Sequence, residues 1–93
     1  MITISIVEDH DQFRNTLEII IRGQNDFGLI KSYSTAENAM HDLPENPPDI
    51  VIVDITLPGM KGTELITKLK TIMPQTQFMV AVFMMITIQF LRH

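Results

Sequence analysis

Asp49-Ile50-Val51-Ile52-Val53-Asp54 constrains the fold more than any other segment. Four consecutive β-branched apolar residues leave no polar side chain for a wet face, so this strand has to be covered on both sides. Such a strand belongs in a parallel sheet with helices on each face. The rest of the chain supplies the partners. Ile2-Thr3-Ile4-Ser5-Ile6-Val7 is β-prone and ends in Glu8-Asp9-His10-Asp11. Phe13, Leu17, Ile20 and Ile21 then share one helical face, and Gly23 is a stop. Leu29 to Tyr33 reads as a second strand. Ser34-Thr35-Ala36-Glu37 has the form of a capping box ahead of Ala36, Ala39, Met40 and Leu43. Pro44 and Pro47-Pro48 end that helix. Leu65, Ile66, Leu69, Ile72 and Met73 form a third helical face closed by Pro74, and Phe78 to Phe83 reads as a fourth strand. The order βαβαβαβ implies an α/β chain with right-handed crossovers.

Ninety-three residues make one small domain, and 45% hydrophobic with 19% charged residues is a globular composition. The net charge of −4 argues against nucleic-acid binding by this chain, since phosphate contact needs a basic face. With no cysteine, disulfides, thiolate nucleophiles and Cys zinc sites are excluded. Met1 to Val7 lacks the basic flank and cleavage pattern of a signal peptide. The apolar run Phe78 to Leu91 contains Gln89 and falls short of the roughly 20 residues of a membrane span. A soluble, cytoplasmic chain without a membrane span is expected.

Ligands of open α/β sheets bind beyond the carboxyl ends of the strands. Two strands here end in acid, the first in Glu8-Asp9 and the third in Asp54. If the two are neighbours, three carboxylates converge and repel one another until a cation or protons neutralise them. Oxygen ligands of this kind suit Mg²⁺, and a carboxylate there can also act as a nucleophile toward phosphorus. The simpler reading of Asp9 or Asp11 is an N-cap for the helix that carries Phe13. His10 reads as a solvent-facing turn residue, His41 and His93 have no metal-ligand spacing, and Lys61 reads as a solvated loop charge.

Ile6-Val7-Glu8-Asp9-His10, Asp49 to Asp54 and Leu57-Pro58-Gly59-Met60-Lys61-Gly62 together resemble the receiver domain of two-component response regulators, most of all receivers that precede a helix-turn-helix output domain. The resemblance implies a flavodoxin-like parallel sheet sandwiched by helices. It implies that Asp54 accepts phosphoryl from a sensor histidine kinase, with Mg²⁺ held by Asp9 directly, Glu8 through water, Asp54 itself and the backbone carbonyl of Thr56. A cis or turn geometry around Leu57-Pro58 would hold the loop, and Gly59 and Gly62 would supply backbone angles that other residues resist.

The resemblance stops near Val80. Ala81 and Val82 stand where the family carries a Ser or Thr at the end of the fourth strand. The fifth-strand Lys, the last two helices and an output domain have no counterpart, so the chain reads as truncated after the fourth strand: a partial receiver over residues 1–82 and an atypical apolar tail over 83–93. Joining each codon's last base to the next two makes Met84-Met85-Ile86 read Asp-Asp, and His93 with its stop read Leu. A one-base deletion after Val80 accounts for such a tail. Phosphoacceptor signalling should then be impaired, and the exposed sheet edge is a place for self-association.

The alternative is a non-catalytic interaction module that associates through its apolar C-terminal segment. A phosphatase of the haloacid dehalogenase type needs a second Asp two residues after the nucleophile, where Thr56 stands. No Gly-x-Gly-x-x-Gly follows the first strand, which argues against a dinucleotide site. The chain is expected to be a phosphoacceptor and not an enzyme.

Overall fold

The structure, a computed structural model, describes residues 1–82. The fourth strand's expected last residue, Phe83, and the tail to His93 lie outside the described residues. The elements are β1 (Ile2–Val7), α1 (Asp11–Arg22), β2 (Phe27–Tyr33), α2 (Ala36–Asp42), a 3₁₀ turn at Leu43–Glu45, β3 (Ile50–Asp54), α3 (Gly62–Ile72) and β4 (Gln77–Ala81). The strands form one parallel sheet in the order β2-β1-β3-β4.

Alternation along the strands divides the core into two layers. Val7, Val51 and Val53 point to one face, where they meet Ala36 and Ala39 of α2, Leu43, and Leu65 and Leu69 of α3. Ile4 and Ile6 point to the other face, against Ile21 of α1, with Leu17, Ile50 and Ile52 packed around them. The expectation that β3 is covered on both faces therefore holds, with Val51 and Val53 fully buried and Ile50 and Ile52 half-buried. Each fully buried Leu or Val side chain contributes about 1.5–3 kcal/mol through apolar burial.

Two helical faces are narrower than the periodicity suggests. Ile20 and Ile72 are each 55% exposed. A helix turns about 100° per residue, so Ile20 and Ile72 lie well round the cylinder from Ile21 and Met73, which face the core. The start of α2 also differs. Thr35 is its N-cap, accepting a hydrogen bond from the Asn38 backbone N–H at 3.1 Å, so the Ser34–Glu37 box does not form. Ser34 and Glu37 are one residue out of phase with the helix that the backbone adopts.

Polar contacts tie the strand ends together. The Thr3 backbone N–H and hydroxyl donate to the Asp49 carboxylate at 2.9 and 3.0 Å, which holds that carboxyl below its ordinary value. This brace fixes where β3 begins against β1. At the other end of the sheet the Tyr33 hydroxyl donates to Asp42, clamping β2 to α2 and lowering the Asp42 pKa. The register that results pairs Val7 with Val53 across β1 and β3. Their next residues, Glu8 and Asp54, thus leave the sheet side by side.

Candidate functional site

One carboxylate oxygen from each of Glu8, Asp9 and Asp54 lies within 4.8 Å of the others. Parallel pairing of β1 and β3 with no strand between them produces this grouping, as anticipated for neighbouring strands. The three differ in environment: Glu8 is buried, Asp54 half-buried and Asp9 exposed. Glu8 is held by its backbone N–H, which donates to Tyr33 at 2.9 Å, and by its side chain, which accepts from the His10 backbone N–H at 3.0 Å. Asp54 accepts from the Thr56 backbone N–H at 3.3 Å, a short turn that starts the β3–α3 loop.

Burial pushes the Glu8 pKa from 4.5 up to about 7. The His10 N–H opposes the rise, while Asp54 and then Asp9 add to it. Near neutrality Glu8 is thus about half protonated. A cation at this site would compete with that proton. If the site takes Mg²⁺, its apparent affinity is expected to fall by up to about tenfold per pH unit below about pH 7 and to level off above it. Mg²⁺ titrations across that range check this, and a flat profile contradicts it. In the cation-free chain the same shift acts on stability with a defined sign. The folded state keeps a proton that the unfolded state releases, so Glu8 lowers stability as the pH rises from 4.5 to about 7.

The flanking loops were only partly anticipated. The N-cap of α1 is His10, whose Nδ1 accepts from the Phe13 backbone N–H at 3.3 Å. Neither Asp9 nor Asp11 caps the helix; His10 is exposed, as expected, but takes the capping role instead. The helix begins at Asp11, which puts His10 at the capping position and sends Asp9 toward the other acids. Arg14, which the sequence reading passed over, donates to the Glu8 carbonyl at 2.9 Å and pairs with Asp11 at 2.6 Å. Its signal was its place in the first turn of α1, three residues after an acid and one turn above the strand end.

In the β3–α3 loop Gly59 has a φ of +82°, the left-handed conformation expected of it. Gly62 has no positive φ. It is needed for a different reason: a Cβ there would lie 2.1 Å from the Asp54 carbonyl oxygen. The described residues contain no cis peptide, so Leu57-Pro58 is a trans turn. Lys61 is exposed, as expected.

The sequence profile of the response regulator receiver domain matches residues 4–87. The uncharacterized transcriptional regulatory protein YhcZ of Bacillus subtilis is 30% identical over 77 residues, 83% of this chain and 36% of the relative. Among solved structures, a LuxR-family two-component response regulator from Aurantimonas superposes with a TM-score of 0.80 at 25% identity, covering 86% of this chain and 57% of that one. The response regulator domain of Thermotoga maritima CheB gives 0.77 at 27% identity, covering 99% and 72%. A four-stranded parallel sheet with three carboxylates at its carboxyl edge defines a flavodoxin-like receiver fold, and this chain belongs to the response regulator receiver domain family. The chain spans 36%, 28% and 23% of the length of three curated relatives that it matches.

Proposed function

We propose that this chain is a phosphoacceptor of a two-component phosphorelay, taking phosphoryl from a sensor histidine kinase onto Asp54 with Mg²⁺ beside it. The observation that carries the reading is the convergence of Glu8, Asp9 and Asp54 within 4.8 Å at the end of two adjacent parallel strands. The donor set fits the ion. It is all oxygen, anionic, and open to water on the Asp9 side, as suits a small hard cation that keeps part of its hydration. Asp9 and Asp54 would hold it directly, Glu8 through water, and the Thr56 carbonyl would complete the protein's share. When bound, Mg²⁺ offsets the charge of the carboxylates and of an incoming phosphoryl group.

The chain's own residues do the rest. The Thr56 N–H orients the Asp54 carboxylate, and the buried Val53 fixes its backbone. A carboxylate oxygen of Asp54 attacks phosphorus and the bond to the donor's imidazole nitrogen breaks; a proton on the ring's other nitrogen lets the imidazole depart neutral. Glu8 and Asp9 repel an unneutralised phosphoryl group, which makes transfer dependent on the cation. The reading includes a cytoplasmic setting, shared with a soluble kinase domain, and no enzymatic activity of the chain's own. No helix among the described residues is long and apolar enough to cross a membrane.

The reading also includes weakened signalling. Ala81 pairs in register with Asp54, and neither it nor Val82 carries a hydroxyl to meet the phosphoryl group. It assigns the receiver to residues 1–82 and treats 83–93 as an apolar extension. Incubation with a phosphorylated histidine kinase or a small phosphoryl donor tests the proposal. Mass spectrometry should show one phosphoryl group per chain in Mg²⁺ and none in excess chelator. Equal uptake in both, or uptake at another residue, refutes it.

A second reading, association between copies, draws on the exposed Met79 and Val80 of β4, an edge strand of the described sheet, and the exposed Val82 just after it. Sedimentation velocity of the full chain should then show a dimer that dissociates on dilution, and a monomer at all concentrations removes this reading.

A further inference from the structure

We infer that Arg14 is a positioning residue for the cation site, setting the direction in which Asp9 leaves β1. The inference rests on the cation-binding reading above. Arg14 is itself on α1, and its side chain is only 18% exposed. One guanidinium nitrogen donates to the backbone carbonyl of Glu8 at 2.9 Å, and another pairs with Asp11 at 2.6 Å.

The Glu8 carbonyl belongs to the peptide plane that joins the two acids of the pair. That plane is rigid, so holding its oxygen also fixes the Asp9 nitrogen and Cα. The residues on either side are anchored as well. The Glu8 N–H is tied to Tyr33, the His10 N–H to the Glu8 carboxylate, and the His10 side chain to the start of α1. Arg14 closes this frame by linking the helix back to the strand end. The exposed Asp9 carboxylate therefore starts from a backbone held by α1, β1 and β2 together. Asp11 matters less to this arrangement, because it is 81% exposed and steadies only the far end of the guanidinium.

Positioning and simple charge make opposite predictions. A cation beside three carboxylates disfavours Mg²⁺, so if Arg14 acted only by its charge, neutralising it would strengthen binding. If it acts by holding the peptide plane, losing the fork weakens binding whether or not a positive charge remains. Lysine keeps the charge but lacks the planar pair of donors.

The test is Mg²⁺ competition against Mn²⁺, followed by the electron paramagnetic resonance signal of free Mn²⁺. The full chain is compared with Arg14→Met, Arg14→Lys and Asp11→Asn. Affinities are read under conditions where urea curves show each variant folded. Both Arg14 variants should bind about tenfold more weakly, as for groups that orient metal ligands from outside. Asp11→Asn should stay within about twofold, since a surface pair contributes little. In the cation-free chain, Arg14→Lys should also shift the Asp9 and His10 amide resonances. Unchanged affinity in the Arg14 variants, or tighter binding by Arg14→Met, overturns the inference. If Arg14→Met does not fold, Arg14→Lys alone decides it. A full chain that binds neither ion overturns the cation site itself, and the inference with it.

Discussion

Asp54→Asn is expected to abolish phosphoryl uptake while leaving the fold intact. The amide cannot act as the nucleophile, so the mass increment of one phosphoryl group should disappear entirely. Folding should survive because an Asn oxygen can still accept from the Thr56 N–H, as the Asp54 carboxylate does. Two further effects identify the site. Mg²⁺ affinity should fall at least about tenfold, because even groups that only orient metal ligands have that effect. The Glu8 pKa should move down from about 7, because Asp54 raises it through a side-chain hydrogen bond and through its charge. Burial, the larger cause, remains, so Glu8 should stay above the ordinary 4.5. Phosphorylation assays, Mn²⁺ competition and the pH profile of binding check the three effects separately. Retained uptake by Asp54→Asn removes Asp54 as the acceptor.

Gly62→Ala should be the most damaging single-methyl change in the described chain. The added Cβ would sit 2.1 Å from the Asp54 carbonyl oxygen, 3.0 Å from its carbonyl carbon and 3.1 Å from the Ile55 Cα. All three are backbone atoms, so no flexible side chain can swing away. Gly62 also opens α3 and donates its N–H to the Ile55 carbonyl at 3.1 Å, so retreat of the helix breaks that bond. Overpacking against side chains typically costs 1–3 kcal/mol, and a backbone clash belongs at or beyond about 3 kcal/mol. For a small domain with about 5–15 kcal/mol of stability, that is a large share. Urea unfolding measures the loss. Where the variant still folds, displacement of Asp54 should weaken Mg²⁺ binding too. A variant of unchanged stability contradicts the close approach of α3 to β3. Gly59→Ala is the natural comparison: its strain comes from φ, and the nearest atom to its Cβ would be the mobile Glu37 carboxylate at 3.4 Å.

The two glycines show how far local sequence carries. Gly59 was legible because a left-handed turn residue is a local property. Gly62 was assigned the same role and has another, since its constraint comes from a strand eight residues earlier. The same divide runs through the first loop. That an acid pair ended a strand was plain from Glu8 and Asp9. That His10 and not an Asp would cap α1 depended on which residue the helix began with, and helix boundaries are decided by small differences among competing caps. The Asp11–Arg14 spacing was legible as a helical ion pair, but the bond from Arg14 to the Glu8 carbonyl was not, because a backbone carbonyl has no sequence signature.

By itself the sequence determined the class of fold and the chemistry available to it. Apolar β-branched runs alternating with helical faces can satisfy burial only as a covered parallel sheet, and carboxylates placed at strand ends must emerge at its edge. Tertiary structure alone decided that Glu8, Asp9 and Asp54 meet. That depends on β1 lying directly beside β3, with Val7 opposite Val53, a register set by side-chain interlocking across the sheet and by the Thr3–Asp49 brace at its far end. It also decided that Glu8 is the buried one and holds its proton to about pH 7, because the desolvation of a charge depends on what packs around it and not on its neighbours in the chain.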